Sequence, residues 1–251
     1  MTVHFIGAGP GAADLITVRG QRLLQRCGVC LYAGSIMPDD LLPLCPPGAR
    51  IVDTGPLTLD QIVSEIARAH ADGHDVARLH SGDPSLYSAV AEQCRRLDEL
   101  GIGYDIVPGV PAFAAAAAAL RRELTVPGIA QTVTLTRVST LSTAMPHGED
   151  LGSLARTGAT LVIHLGAHRI DAIVADLLAG GYTPATPAAV VAFASWPQEV
   201  VLRGTLADIA AQVHEARVSR TAVIVVGDVL AAEGFPDSYL YSAARTRGIR
   251  H

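Results

Sequence analysis

The residues whose types and spacing could do chemistry begin with His80-Ser81-Gly82-Asp83-Pro84-Ser85-Leu86-Tyr87. This stretch follows a strand-like run, Asp75 to Leu79, and opens a helix-like run from Leu86 to Leu100. An open α/β sheet places ligands at such strand-to-helix turns. Gly82 permits close backbone approach, Pro84 presets φ for a helix start, and Asp83 or Ser85 can cap the first turn. The turn is therefore expected to hold part of a cofactor.

A second glycine-rich stretch, Gly7-Ala8-Gly9-Pro10-Gly11-Ala12, follows the first apolar run. It satisfies the G-x-G-x-x-G/A form of dinucleotide sites. Such a site also needs an acidic residue near the end of the second strand. There the chain reads Tyr32-Ala33-Gly34-Ser35-Ile36, with no carboxylate before Asp39. Pro10 removes one N–H from any pyrophosphate cradle. A nicotinamide or flavin site is disfavoured, and a tight turn that admits a flat ligand to the strand ends is the better reading.

The remaining clusters exclude more than they assign. His164 and His168, and His70 and His74, have no third ligand nearby, and Gly166 marks a strand end where a His-x-x-x-His pair would not converge on zinc. No metal is expected. There is no G-x-S-x-G elbow for a serine nucleophile. Cys27 and Cys30 form a C-x-x-C spacing where a helix ends and a strand begins, with no second pair, and read as structural thiols. Arg137 stands at a strand-to-loop junction and is either a surface charge or a carboxylate clamp. No acid, base or nucleophile stands out, which suits a reaction catalysed mainly by positioning.

The elements that must position these residues follow from hydrophobic periodicity. Strands are expected over Val3–Ile6, Val29–Tyr32, Arg50–Asp53, Val76–Leu79 and Tyr104–Val107, and helices over Asp14–Gln25 and Leu59–Ala71. This alternation predicts a mostly parallel sheet covered by helices. Pro108-Gly109-Val110-Pro111 and the alanines 114–119 form the candidate hinge, giving an N-terminal domain over 1–110 and a C-terminal one over 111–251. In the second half, strands are expected over Gln131–Arg137, Ala159–His164, Ala188–Ala192, Glu199–Leu202 and Ala222–Val226. Helices are expected over Ile170–Leu178 and Leu206–Ala216, so that half reads as a mixed sheet with flanking helices. The overall class is α/β in two domains.

Composition sets outer bounds. The chain has 251 residues, 49% of them hydrophobic, enough for a sizeable core. No apolar run approaches a membrane span. A net charge of −5 argues against a nucleic-acid partner. All 19 basic residues are arginine, the better fork for carboxylates and phosphates. The N-terminus enters a strand at once without a basic leader, and the cysteines read as free thiols. A cytoplasmic location is expected.

Several motifs together carry a resemblance that none carries alone. Gly7 to Gly11 with Asp14-Leu15-Ile16-Thr17-Val18-Arg19-Gly20, then Ser81-Gly82-Asp83-Pro84, Val107-Pro108-Gly109-Val110 and the late Val226-Gly227 resemble, in order and spacing, the signatures of the tetrapyrrole methylases. Within that family, Leu31-Tyr32-Ala33-Gly34-Ser35 and His80 to Ala89 are similar to the branch that methylates precorrin-4 at C11 on the way to cobalamin.

The resemblance implies two α/β domains with S-adenosylmethionine in the cleft between them, S-adenosylhomocysteine as product, a homodimer, and precorrin-4 or a related tetrapyrrole as substrate. By motif, cofactor contacts fall on Pro10, Ser81, Gly82, Asp83, Leu86, Pro111, Ala112, Leu165, Ala194, Thr221 and Ala222. Pro111 stands where many members have Thr or Ser, and Ala194 where many have Gly. Gly9, Gly11, Ser35, Arg78 and Arg137 are the expected substrate contacts, the arginines facing the tetrapyrrole's carboxylates. Methylation of another precorrin or of uroporphyrinogen, or a non-catalytic tetrapyrrole-binding role, are the competing readings.

Overall fold

The structure is a computed structural model describing residues 1–34, 39–139 and 144–238. The chain divides into two compact units, Met1–Ala115 with Phe193–Gln198, and Ala116–Ala192 with Glu199–His251.

The first unit is built on a five-stranded sheet in the order β3-β2-β4-β1-β5. Its strands are β1 (Val3–Gly7), β2 (Val29–Tyr32), β3 (Arg50–Asp53), β4 (Val76–His80) and β5 (Tyr104–Val107). Every pairing is parallel, so the sheet is wholly rather than mostly parallel. Parallel strands buried on both faces read as largely apolar runs, and all five residues of β1 are buried. One face packs Val3, Phe5 and Leu31 against Ile62 and Ile66 of α2 (Leu59–Ala71) and Leu97 of α3 (Val90–Glu99). The other packs Ile6, Cys30 and Leu79 against Leu24 of α1 (Val18–Leu24). Right-handed crossovers leaving β1 and β4 in opposite directions place their helices on opposite faces. The loops after β1 and β4 therefore part at a topological switch point.

Two helix starts of the first unit differ from expectation, each for a local reason. α1 begins at Val18, not Asp14, because the Thr17 hydroxyl caps it by accepting from Gly20 N at 3.1 Å; a short 3-10 turn, Ala13–Leu15, precedes it. α3 begins at Val90, not Leu86, because Tyr87 and Ala89 hold left-handed φ values of 53° and 49°. The Ser88 hydroxyl donates to the carbonyls of Asp83 and Leu86, at 3.1 and 3.0 Å, occupying acceptors an α-helix would use.

The chain passes through α4 (Ala112–Leu120) into the second unit, whose five-stranded sheet runs β6-β7-β10-β8-β9. Its strands are β6 (Val133–Arg137), β7 (Thr160–His164), β8 (Pro187–Ala192), β9 (Val200–Thr205) and β10 (Ala222–Val226). Only β6 and β7 pair in parallel, giving the mixed sheet expected. Helices α5 (Leu151–Ala155), α6 (Ile170–Ala179) and α7 (Ile209–Glu215) flank it. Among the described residues no helix is long and apolar enough to cross a membrane.

Candidate functional site

Three loops of the first unit converge on glycines. After β1 and β4, Gly9 and Gly82 bond reciprocally: Gly82 N donates to Gly9 O at 2.7 Å and Gly9 N to Gly82 O at 3.2 Å. A Cβ built on Gly109, in the loop after β5, would lie 2.1 Å from Gly82 O and 2.7 Å from Gly7 Cα. The three backbones touch because none of these residues has a side chain.

This pairing explains why the early glycine loop cannot cradle a pyrophosphate. Gly9 N is spent on Gly82, Ala8 N on His80 O at 2.8 Å, and Ala12 N on the Ser195 hydroxyl at 3.0 Å, while Pro10 has none to give. The segment Phe193–Gln198 covers the loop. Trp196 Nε1 donates to Pro10 O at 2.9 Å, and a Cβ on Gly11 would fall 2.1 Å from the indole Cδ1 and 2.9 Å from Ala194 O. Gly9, Pro10, Gly11 and Ala194 are all buried.

Asp83 links two of the loops. Its carboxylate accepts from Gly109 N at 2.8 Å and from Ser85 N at 2.8 Å, and it is also bonded by the Ser85 hydroxyl. Partial burial opposes its ionisation, but the bonds from Ser85 and Gly109 outweigh this and hold its pKa below the usual carboxylate value. Gly82, at φ 67°, turns the chain so that its Cβ position lies 3.6 Å from Pro111 Cα and Ala112 N. Gly82, Asp83, Pro111 and Ala112, far apart in sequence, thus stand together. Ser81 and Leu86 are half-buried in the same turn.

Arg78 is an interior residue at 6% exposure. Its Nε donates to Gln93 Oε1 at 3.1 Å and a terminal nitrogen to Thr54 Oγ1 at 3.0 Å. Thr54 in turn donates to Tyr32 O, and Gln93 to Ala89 O, both at 2.9 Å. One guanidinium therefore ties the end of β2 to the residue that starts α3. Burial lowers its pKa to about 10, and Cys30 partly offsets that. His80, two residues on, is buried against Phe5, with Nε2 lacking any hydrogen-bond partner. Burial first, and the Arg78 charge second, push this imidazole down to about 3. Ser35 lies outside the described residues.

In the second unit the expected residues gather at one sheet end. Leu165 directly follows β7, while Thr221 precedes β10 and Ala222 begins it; Val223 pairs with His164, and Ala222 with Ala192. Leu165 and Thr221 hold φ values of 57° and 52°. Non-glycine residues in this region are strained, and such strain concentrates at ligand sites. Among the described residues, Phe193 and Ser195, which flank Ala194, and Tyr87 and Ala89, at the end of the turn after β4, hold such values too. Arg137 ends β6, donates to Val138 O at 3.0 Å, and lines a small open pocket of about 80 Å³ with Arg169, Asp150 and Asp176.

Sequence reasoning missed Trp196 and Ser195 as parts of the site, and Gly109 as the backbone against which Gly7 and Gly82 pack. Among the described residues no group of three or more His, Cys, Asp or Glu side chains could hold a metal.

Residues 2–210 match the family model for tetrapyrrole (corrin/porphyrin) methylases. The precorrin-4 C(11)-methyltransferase of Mycobacterium tuberculosis (strain ATCC 25618 / H37Rv) is 80% identical over 98% of both chains. That of Rhodococcus erythropolis is 68% identical, covering 98% of this chain and 99% of the relative. Among solved structures, a cobalamin biosynthetic enzyme, cobalt precorrin-4 methyltransferase, superposes with a TM-score of 0.89 at 37% identity, over 91% of this chain and 95% of that one. Uroporphyrin-III C-methyl transferase from Thermus thermophilus, complexed with S-adenyl homocysteine, gives a TM-score of 0.76 at 30% identity, over 92% and 93% of the two chains. The fold is thus shared with these enzymes over about nine-tenths of the chain, and the chain belongs to the tetrapyrrole methylases.

Proposed function

We propose that this chain transfers the methyl group of S-adenosylmethionine to C11 of precorrin-4, giving precorrin-5, in cobalamin biosynthesis. The observation that carries the reading is 80% identity, over 98% of the chain, to a precorrin-4 C(11)-methyltransferase. The uroporphyrinogen-III C-methyltransferase of Bacillus subtilis is only 30% identical.

The residues present fit the cofactor. Gly82, Pro111 and Ala112 form a turn with little side chain, which suits the close approach of a flat adenosine. We assign cofactor contacts to Pro10, Ser81, Gly82, Asp83, Leu86, Pro111, Ala112, Leu165, Ala194, Thr221 and Ala222. Substrate contacts are assigned to Gly9, Gly11, Ser35 and Arg137, with Arg78 acting from behind the surface. Bound there, S-adenosylmethionine supplies a methyl group on a sulfonium that leaves without protonation.

The protein's part is then to orient and to exclude water. Orientation alone can contribute roughly 7–11 kcal/mol to such a step. The Gly9–Gly82 pair and the Asp83–Gly109 bond keep the loops rigid, so little ordering remains when ligands bind. Arg137, which donates to Val138 O and Ala144 O, would meet a substrate carboxylate by exchanging one of these bonds. A homodimer in the cytoplasm completes the reading; the four free cysteines suit a reducing compartment.

Purified protein given precorrin-4 and methyl-labelled cofactor should yield a product heavier by one methylene, with the label on C11 by NMR. A label at another carbon would move the activity elsewhere in the family. Tetrapyrrole binding without turnover would make the protein a carrier.

A further inference from the structure

The loop after β1 is held from two sides. The Gly9–Gly82 pair fixes its start. Its end is fixed by Phe193–Gln198, a segment that lies between β8 and β9 in sequence yet belongs to the first unit. Two hydrogen bonds, spanning 183 and 186 residues, make this second attachment: Ala12 N donates to the Ser195 hydroxyl, and Trp196 Nε1 to Pro10 O. The indole has a single polar atom, a donor, and it is committed to that one carbonyl.

The segment is shaped around the loop. Phe193 and Ser195 hold left-handed φ values of 51° and 66°, which non-glycine residues keep only where their surroundings over-determine them. Trp196 N donates to Phe193 O at 2.9 Å, and the two rings meet edge to face at 6.5 Å, so the indole is fixed within its own turn. Gly11 does not hold a left-handed φ, so its lack of a side chain answers to space alone. A Cβ there would lie 2.1 Å from indole Cδ1 and 2.3 Å from Nε1. Loop and indole fit as one piece, and the loop cannot shift toward the segment without displacing Trp196.

We propose that Trp196 is a positioning residue for the methyl transfer, holding the loop from Gly9 to Ala12 in the shape that receives the tetrapyrrole. The proposal rests on the assignment of that loop to the substrate. Trp196 acts through Pro10 and Gly11, and its N–H is the group that matters. A displacement of about 1 Å at a site of this kind costs on the order of 10²-fold in rate.

The chain has one tryptophan, so a tryptophan-auxotrophic host fed β-(3-benzothienyl)alanine replaces Trp196 alone. Sulfur then stands where the N–H was, and the bicyclic outline is kept. 5-Fluorotryptophan, introduced the same way, keeps the N–H. Full-length parent, both analogues and Trp196→Phe are compared for methyl transfer to precorrin-4, affinity for S-adenosylhomocysteine and amide exchange. In the benzothienyl protein kcat/KM for precorrin-4 should fall by up to about tenfold, the worth of one neutral hydrogen bond, and further in Trp196→Phe. The fluorinated protein should match the parent. Affinity for S-adenosylhomocysteine should fall by a smaller factor, and exchange should quicken at the Ala12 amide and not at Gly82. Should Trp196→Phe fail to fold, the two analogues decide. Unchanged kcat/KM in the benzothienyl protein, equal losses in both analogues, an equal loss of cofactor affinity, or an Ala12 amide that does not respond would each overturn the proposal while leaving the activity in place. A parent that neither binds nor methylates precorrin-4 would instead remove the substrate assignment, and the proposal with it.

Discussion

Asp83 and Gly109 are joined by a 2.8 Å hydrogen bond, side-chain carboxylate to backbone N–H, across 26 residues of sequence. The bond fixes the turn after β4 to the loop after β5, the two segments assigned to the cofactor. Asp83→Ala removes the acceptor and leaves the Gly109 N–H to water, costing about 1 kcal/mol of stability. S-adenosylhomocysteine affinity should fall more than tetrapyrrole affinity. Calorimetry showing unaltered affinity for S-adenosylhomocysteine would displace the site from this turn.

The glycines at the strand ends are not interchangeable with those elsewhere. Gly109→Ala would put a Cβ 2.1 Å from Gly82 O, backbone against backbone with no flexible side chain to yield. A loss of about 3 kcal/mol or more is expected in urea unfolding. Gly103 has nothing within 4 Å of its Cβ position and no left-handed φ, so Gly103→Ala should be neutral or stabilising by about 0.4–1 kcal/mol. Similar midpoints for the two variants would refute the close packing described.

Acid should weaken the fold through buried histidines. Burial pushes His80 down to about 3 and His164 to about 4, both below the ordinary value of 6.5. The unfolded chain therefore binds more protons below that value, so stability is full above pH 6.5 and erodes as pH falls toward 3. The slope per histidine is at most about 1.4 kcal/mol per pH unit. Urea midpoints of His80→Gln, measured from pH 7 to pH 4, should fall less steeply than those of the parent; parallel curves would show that His80 does not titrate this way.

Arg78 should resist its usual conservative replacement. It bridges Thr54 and Gln93 with two differently directed N–H groups, and a lysine ammonium on a flexible stem cannot reproduce that fork. Arg78→Lys is expected to lose stability by roughly 1–3 kcal/mol. Amide exchange should quicken both near Ala89 and at Thr54, because the guanidinium holds the two together. Quickening at only one of them would contradict a bridging role.

How much of this was legible in the sequence varied with the range of the interaction. β1, β2 and β4 are mostly apolar because both faces of their sheet are covered, and a window of a few residues suffices to see them. The start of α3 was misplaced because the left-handed Tyr87 and Ala89 are set by bonds among Asp83, Ser85 and Ser88 rather than by hydrophobic period. Pro10 and the missing acidic residue argued locally against a dinucleotide site. The fuller reason, that Gly9 and Gly82 consume each other's N–H groups, joins positions 73 residues apart. Trp196 on Gly11 is more distant still, and nothing around Trp196-Pro197 announces a partner.

That last contact gives the molecule an optical property. The chain has one tryptophan, and its indole N–H is bonded to the carbonyl of Pro10 while its ring edge fills the space left by Gly11. All indole fluorescence therefore originates against the loop that follows β1. A change in emission wavelength or quenching when a ligand is added reports on that loop alone, without any label.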